Sequence, residues 1–185
     1  MIFSLAIIHQ FSIAICTVLT CFGVSIGQGI TTHASIKALD RQPKAKDDIA
    51  RTTLLALAII ETAGLLGFIA SIFLFLEKNL NLYSALSEIG FSFAISIPGF
   101  ILGIITSFPA QAALQSIARQ PFMAKKIMNF MLLTQSLIQT PLAFGFIIAM
   151  LIRNNFTTVS NIGSSIALIS SGVCIGLSCI GPAIG

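Results

Sequence analysis

The sequence predicts an all-α protein built from transmembrane helical hairpins in tandem, and three observations support this prediction. Of the 185 residues, 56% are hydrophobic and only 9% are charged, whereas a soluble domain is about 25% charged. Long apolar runs alternate with short polar stretches, and a membrane-spanning helix needs roughly 20 apolar residues. Short motifs also recur at a fixed spacing. These features exclude an ordinary soluble domain.

The apolar runs are the candidate spans. Within lipid every backbone N–H needs an internal partner, so the spans should be helices. The runs are too long for barrel strands and lack their alternation. We expect the polar stretch from Glu77 to Glu88 to lie outside the membrane, and Pro98 and Pro109 to bend the third span. The expected spans are approximately 1–39, 52–76, 89–117, 127–152 and 160–185.

The basic residues predict the orientation. Most of the ten Lys and Arg lie in or beside two polar stretches, 40–51 and 119–126. Because Lys and Arg are enriched in cytoplasmic loops, both stretches should be cytoplasmic and the N-terminus should face outward. We expect a multi-pass protein of the cell (inner) membrane. The net charge of +4 does not indicate nucleic acid, since no aromatic–basic interleaving accompanies it.

Internal repeats predict the architecture. The tripeptide Arg-Gln-Pro occurs at 41–43 and again 78 residues later, and residues near 12–27 recur close to the end of the chain. We expect the sequence to stop halfway through a hairpin, with Gln-Gly and then a third hairpin with its own glutamate to follow. The predicted units are a first hairpin at 1–78, a second at 79–156, and the first helix of a third, apparently truncated repeat at 157–185.

Glu61 is the acidic residue that we expect in the middle of a span. A charge at the bilayer centre costs at least about 2.5–3.5 kcal/mol, so this position predicts an ion or proton site. Gln28 lies at comparable depth in a hairpin that turns near residue 45, and Thr62 adds a hydroxyl. Such oxygen ligands suit Na⁺, but they also suit a protonated glutamate. The counterpart of Glu61 in the second repeat is Gln139, which does not ionise.

Other polar and small residues have weaker implications. The cysteines fit no disulfide or zinc spacing, and we expect them to be small buried side chains. His9 and His33 have no partner at helical spacing. Small residues that alternate along the first span predict close packing on both of its sides. They are Gly23, Ser25, Gly27 and Gly29.

Three motifs together resemble the rotor-ring c-subunit (proteolipid) family of rotary ATP synthases and ATPases. The resemblance covers 12–76 well, 90–152 as a diverged copy and 160–185 as a fragment. The motifs are the small-residue run that ends in Gly27-Gln28-Gly29, the loop Arg41-Gln42-Pro43, and Ile60-Glu61-Thr62.

The resemblance implies a membrane ring of hairpins that carries Na⁺ or H⁺ at Glu61 and couples ion flow to rotation. The implied partners are further copies of the chain in a homo-oligomeric ring, the stator a-subunit, central-stalk subunits and membrane lipid. It implies no organic cofactor, no catalytic site of the chain's own and no nucleic acid. The loops implied to contact the stalk comprise Arg41, Gln42, Pro43, Arg119, Gln120 and Pro121.

The resemblance also implies a ligand set. The Na⁺-type members match Gln28, Glu61, the Thr62 hydroxyl and the Ile59 carbonyl, so the chain resembles the Na⁺ type more than the usual H⁺ type. Ligands in this family are shared between adjacent hairpins. We therefore expect two groups of the second repeat to complete a site at a neighbour's Glu61. They are the Thr140 hydroxyl and the Leu137 carbonyl, which Pro141 deprives of its helical partner.

Two other interpretations remain at this stage. One carboxylate per two hairpins favours a vacuolar-type proteolipid that works as an ion pump, whereas the Arg-Gln-Pro loop favours an F-type or F/V-hybrid ATP synthase. A small multidrug transporter also uses a single buried glutamate. However, that class resembles a four-helix unit with the glutamate in its first span, whereas Glu61 lies in the second span.

Overall fold

The computed structural model describes residues 2–77 and 81–184, with side chains for 5–77 and 81–182. The described residues form helices and contain no strand, which confirms the all-α prediction. Lys78, at the predicted boundary between repeats, and Gly185 lie outside the described residues. The α-helices are α1 (Ile2–Arg41), α2 (Lys46–Phe75), α3 (Leu82–Ile105), α4 (Ser107–Arg119), α5 (Ala124–Asn154), α6 (Ile162–Ser178) and α7 (Ile180–Ile184).

The helices are long and apolar enough for a membrane protein. Five segments of the described chain meet the length and composition of a membrane span, and four of them include a turn or a second short helix. The predicted tandem hairpins are therefore confirmed as the fold class. The segments are Leu5–Arg41, Pro43–Phe75, Leu82–Arg119, Pro121–Asn154 and Ile162–Pro182.

The two Arg-Gln-Pro turns have almost the same backbone geometry. Gln42 has φ −140° and ψ 77°, and Gln120 has φ −136° and ψ 74°. A residue that precedes proline is disfavoured in the α region, so α1 and α4 end at these turns. The prolines then begin short 3-10 turns at Pro43–Ala45 and Pro121–Met123. This likeness supports the interpretation that the two hairpins are copies of one unit.

The helices form two layers. α1, α3 and α6 lie side by side, and α2 and α5 lie against them and contact each other. Glycines allow the close approach within the first layer. A methyl group added at Gly27 would overlap the Gly103 carbonyl, one added at Gly23 would overlap the backbone of α3, and one added at Gly172 would overlap Gly90. The three helices therefore touch backbone to backbone, as small residues permit in membranes.

The prediction that residues 77–88 form a loop outside the span is wrong in its second half. α3 begins at Leu82 because Asn81 and Ser84 form a capping box, in which the Asn81 N–H donates to Ser84 Oγ at 2.8 Å. Glu88 consequently lies inside α3, where it is 0% exposed. The third span thus begins earlier than the hydropathy of the sequence suggests.

The prolines act unequally on the helices. α3 and α6 each end four residues before a proline, Pro109 and Pro182 respectively. Proline has no N–H, and its ring clashes with the carbonyl four residues back, which explains both breaks. Pro98 and Pro141 instead lie inside continuous helices. The predicted bend of the third span is therefore a break associated with Pro109, and Pro98 does not interrupt α3.

Candidate ion-binding site

Glu61 lies on an exposed, apolar face of α2. Its neighbours on this face include Leu54, Leu65 and Phe68, whose side chains are 68%, 55% and 54% exposed. The Glu61 side chain is exposed as well. A carboxylate on such a face is costly in lipid, so it needs a proton, a bound cation or cover from another polar surface.

The other predicted ligands of the first hairpin lie at two different places. Gln28 is half-buried on α1, and in the described chain no hydrogen bond joins its side chain to Glu61. Thr62 is half-buried, and its hydroxyl oxygen lies 2.7 Å from the Ile59 carbonyl oxygen. The structure therefore brings Thr62 and Ile59 together, but it does not gather all four predicted ligands within one chain.

The Ile59 carbonyl and the Thr62 hydroxyl face the second hairpin, where they contact Gln139. Gln139 Nε2 donates to the Ile59 carbonyl at 2.6 Å, and the Thr62 hydroxyl hydrogen-bonds Gln139 Oε1. Gln139 occupies the repeat position of Glu61. The carbonyl and hydroxyl of the first hairpin thus serve the residue at the glutamate position of the next hairpin.

Thr140 and Leu137 lie on the far side of the second hairpin. Both side chains are exposed, and Leu137 is 63% exposed. They line a groove of about 410 Å³ between α5 and α6. The Leu137 carbonyl lacks its usual helical donor, because Pro141 stands four residues later. The Thr140 hydroxyl donates to the Ser136 carbonyl at 3.2 Å, whereas the Thr62 hydroxyl lies against the Ile59 carbonyl. The second hairpin therefore borders its groove with the same two kinds of group in a different hydrogen-bonding arrangement.

Thr106, at the repeat position of Gln28, is turned toward its own helix. It is 0% exposed, and its hydroxyl donates to the Leu102 carbonyl at 2.7 Å. Its backbone carbonyl accepts from Gln135 Nε2 at 2.9 Å. The residue at the repeat position of Gln28 thus lacks both the reach and the amide group of Gln28.

The two Arg-Gln-Pro turns lie at the same end of the structure. Arg41 and Arg119 are exposed, and Phe122 beside the second turn is 83% exposed. A buried apolar cluster packs together the helix ends beside the two turns. The two turns are therefore exposed side by side at this end of the structure. Its residues are Ala34, Ala38, Ala45, Ile49, Leu114, Ile117 and Ala124.

The small-residue run of α1 has one covered side and one open side. Gly23 and Gly27 are buried against α3, whereas Ser25 and Gly29 are exposed. A methyl group added at Gly29 would meet nothing within 4 Å. The second packing side that the sequence predicts is therefore uncovered in a single chain.

Besides Glu61, the spans contain a pair of ionisable residues that the sequence analysis did not predict. His9 Nδ1 lies 2.8 Å from Glu88 Oε2, between α1 and α3. Glu88 Oε1 is buried and has no hydrogen-bond partner. His9 stands 19 residues before Gln28, which is roughly 28 Å along a helix. The repeat offset of 78 places Glu88 opposite residue 10, and this signal could have predicted the pairing.

Known proteins resemble the first hairpin. The family model for the c-subunit of ATP synthase matches residues 11–74. The ATP synthase c-subunit of Alkaliphilus oremlandii is 40% identical over 58 residues, that of Natranaerobius thermophilus 36%, and that of Lachnoclostridium phytofermentans 41%. Each match covers 31% of this chain and 66–67% of the relative, so the chain spans about two thirds of their length.

The matched region contains α1, the first Arg-Gln-Pro turn and nearly all of α2. It therefore includes Gln28, Glu61 and Thr62. The long apolar helices add that the protein is an integral membrane protein. By these matches, the chain belongs to the c-subunit family of ATP synthases.

Proposed function

We propose that the chain is a rotor-ring subunit of an F-type or F/V-hybrid ATP synthase that carries Na⁺ or H⁺ at Glu61. One observation carries the proposal: Glu61 lies within a membrane-length helix on an apolar, exposed face. A carboxylate is tolerated there when it serves ion movement. The family membership and the all-helical hairpin fold support this function. The chain is expected to translocate ions without a catalytic site of its own.

The ion site is completed between hairpins. Gln28 and Glu61 supply oxygen ligands from one hairpin. The Thr62 hydroxyl and the Ile59 carbonyl do not serve Glu61 of their own hairpin. They hydrogen-bond Gln139, the residue at the glutamate position of the second hairpin. By the same relation, the Thr140 hydroxyl and the Leu137 carbonyl of one chain complete the site at a neighbour's Glu61.

A ring supplies the missing cover. The open side of α1 at Ser25 and Gly29 and the exposed face around Glu61 both belong to the first hairpin. A second copy packed there covers the open side of α1 and one edge of the face around Glu61, and leaves the outer part of that face accessible. The hairpins at 1–78 and 79–156, followed by the helix at 157–185, then act as successive units of one ring.

Two further surfaces fit the remaining partners. The exposed Arg-Gln-Pro turns form the cytoplasmic surface for central-stalk subunits, with the N-terminus outward. The Glu61 face meets the stator a-subunit, whose cationic group attracts the emptied carboxylate. This arrangement follows the charge of the loops and the exposure of Glu61.

The ligand chemistry favours Na⁺ over H⁺. Na⁺ takes several oxygen ligands, and the proposed site offers the amide oxygen of Gln28 and the carboxylate of Glu61 beside a hydroxyl and a carbonyl. A proton needs only the carboxylate and one hydrogen-bond acceptor. The surplus of oxygen ligands therefore supports a Na⁺ site.

A vacuolar-type ion pump is the second candidate, and Gln139 is the observation that favours it. Gln139 occupies the glutamate position and bears no ionisable group. A ring with fewer carboxylates than hairpins moves fewer ions per turn. More ATP is then hydrolysed per ion, and each ion can be pumped against a steeper gradient. The direction of work differs between the candidates, but the role of Glu61 does not.

The proposed function is tested in the assembled complex within membrane vesicles. Glu61→Gln removes the ionisable group with little change of shape and should abolish ATP-driven ion uptake. Glu88→Gln is the matched control, because it makes the same change at another carboxylate in a span. The new amide oxygen can still accept a hydrogen bond from His9, so uptake should remain in place. Ion uptake that survives Glu61→Gln would refute the function.

A further inference from the structure

At the contact between α2 and α5, the neutral side chain of Gln139 makes the hydrogen bonds that a carboxylate and a bound cation would otherwise provide. We infer that the Gln139 amide occupies the ion-free contact between the first two hairpins, in place of a carboxylate and its cation. This inference rests on the proposed function, because it treats Glu61 as the working version of the same position. It adds that the contact stays closed whether or not ions are bound.

The hydrogen atoms at this contact have one consistent assignment. Gln139 Nε2 donates to the Ile59 carbonyl at 2.6 Å, so Oε1 is the amide atom that faces the Thr62 hydroxyl. Thr62 has a single hydroxyl proton. The Thr62 hydroxyl also lies 2.7 Å from the Ile59 carbonyl, but that carbonyl already accepts from Gln139 Nε2. Because Oε1 is only an acceptor, the hydroxyl proton is assigned to the Thr62–Gln139 bond. The amide is thereby held at both ends and in one orientation.

A primary amide reproduces what an ion-loaded carboxylate provides at this place. Its NH₂ group carries partial positive charge and approaches the Ile59 carbonyl, as a cation would. Its oxygen accepts from the Thr62 hydroxyl, as a carboxylate would. The pair of bonds therefore satisfies both groups without a net charge in the membrane, where a free charge is costly.

The surroundings of Gln139 lack the remaining parts of a working site. Thr106, the counterpart of Gln28, is buried with its hydroxyl bonded to the Leu102 carbonyl at 2.7 Å. One turn before Gln139, the Gln135 amide donates to the Thr106 carbonyl at 2.9 Å. Two neutral amides thus connect α5 to its neighbours: Gln139 bonds α2, and Gln135 bonds the break between α3 and α4.

Restoring a carboxylate provides the test. In the assembled complex, Gln139→Glu is combined with dicyclohexylcarbodiimide labelling, and modified residues are counted by mass spectrometry with and without Na⁺ and over a range of pH. We expect the carboxylate at position 139 to be labelled. The ion that protects Glu61 should also slow this labelling, but by a smaller factor, because Thr106 supplies no counterpart of the Gln28 amide. Leu133→Glu is the control, because Leu133 is 59% exposed on the same helix and a carboxylate there should be labelled without that protection.

The outcomes separate the inference from the proposed function. If Glu61 of the unaltered protein shows no ion-dependent labelling, the proposed function fails. If Glu61 is protected but the carboxylate at position 139 is not, the inference alone is overturned. Equal protection at position 133 would also overturn it, because any carboxylate on α5 would then suffice.

A second measurement covers a Gln139→Glu variant that does not assemble. Gln139→Met keeps similar volume but removes both hydrogen bonds. Amide hydrogen exchange around Ile59, Thr62 and Gln139, compared at one pH and one Na⁺ concentration, should accelerate in Gln139→Met relative to the unaltered protein. Unchanged exchange in that variant would contradict a contact held by the amide.

Discussion

At the scale of single residues, the direction in which a hydrogen-bonding group points decides which hairpin it serves. Thr62 is next to Glu61 in sequence, yet its hydroxyl contacts Gln139 of the following hairpin. Thr140 has the corresponding place on the second hairpin and borders an open groove. Adjacent residues of one helix therefore belong to two different contacts.

Thr140→Val tests whether the second hairpin lends a ligand to Glu61 of a neighbour. The change removes a hydroxyl of the proposed site, and a hydrogen bond to a charged group contributes about 1.5–3 kcal/mol. We expect the ion concentration that protects Glu61 from labelling to rise at least about tenfold. Thr140→Ser retains the hydroxyl and serves as the control. Unchanged protection in Thr140→Val would exclude Thr140 from the site.

The His9–Glu88 pair gives a second prediction at this scale. Both side chains are buried, and breaking a buried pair by removing one partner costs about 3–5 kcal/mol. Glu88→Leu or His9→Leu should each destabilise the protein in detergent by this order, as measured by denaturant unfolding. The double replacement should recover part of the loss, because it leaves no unpaired charge. Additive losses would show that the two residues do not stabilise each other.

At the scale of helices, the close approach of α1 to α3 depends on glycine. A side chain at Gly27 would overlap the Gly103 carbonyl, and backbone atoms cannot move aside cheaply. Gly27→Leu should therefore separate α1 from α3 and lower the thermal stability of the single chain. Gly29→Leu is the matched control, because nothing lies within 4 Å of an added methyl group there. Equal stability of the two variants would contradict the backbone contact.

Helix boundaries show how far local signals extend. The Arg-Gln-Pro turns follow from the restriction that proline imposes on the preceding residue, and both were predictable. The start of α3 was not predicted, because its first turns are polar and the apolar run begins only after Glu88. The capping pattern of Asn81 and Ser84 marks the true start, and it outweighs the low hydropathy of the first turns.

Pairings between helices are harder to predict from the sequence than the helices themselves. His9 and Glu88 are 79 residues apart, and Gln139 and Thr62 are 77 apart. Neither pair stands at a helical spacing, so only the placement of whole helices brings them together. The repeat offset of 78 contains this information, since it aligns equivalent depths of successive hairpins. The candidate ligand types were predictable, but their division between contacts was not.

At the scale of the whole molecule, one face of the first hairpin is incomplete. Ser25 and Gly29 are exposed on α1, and Glu61 is exposed on α2. Gly29→Leu should leave the single chain folded but should block close packing of a second copy. We expect the detergent-stable oligomer to be replaced by smaller species in size-exclusion chromatography with light scattering. An intact oligomer of unchanged mass would show that this face is not the contact between copies.

The identity of the carboxylate that reacts most directly tests whether Glu61 carries the ion. Two glutamates lie within spans, Glu61 on an exposed face and Glu88 in a buried pair. The intact complex is treated with dicyclohexylcarbodiimide at neutral pH with and without Na⁺, and the modified residue is identified by mass spectrometry. We predict modification at Glu61 that Na⁺ suppresses. Modification confined to Glu88, or a Glu61 that does not react at any pH or Na⁺ concentration, would contradict an ion site at Glu61.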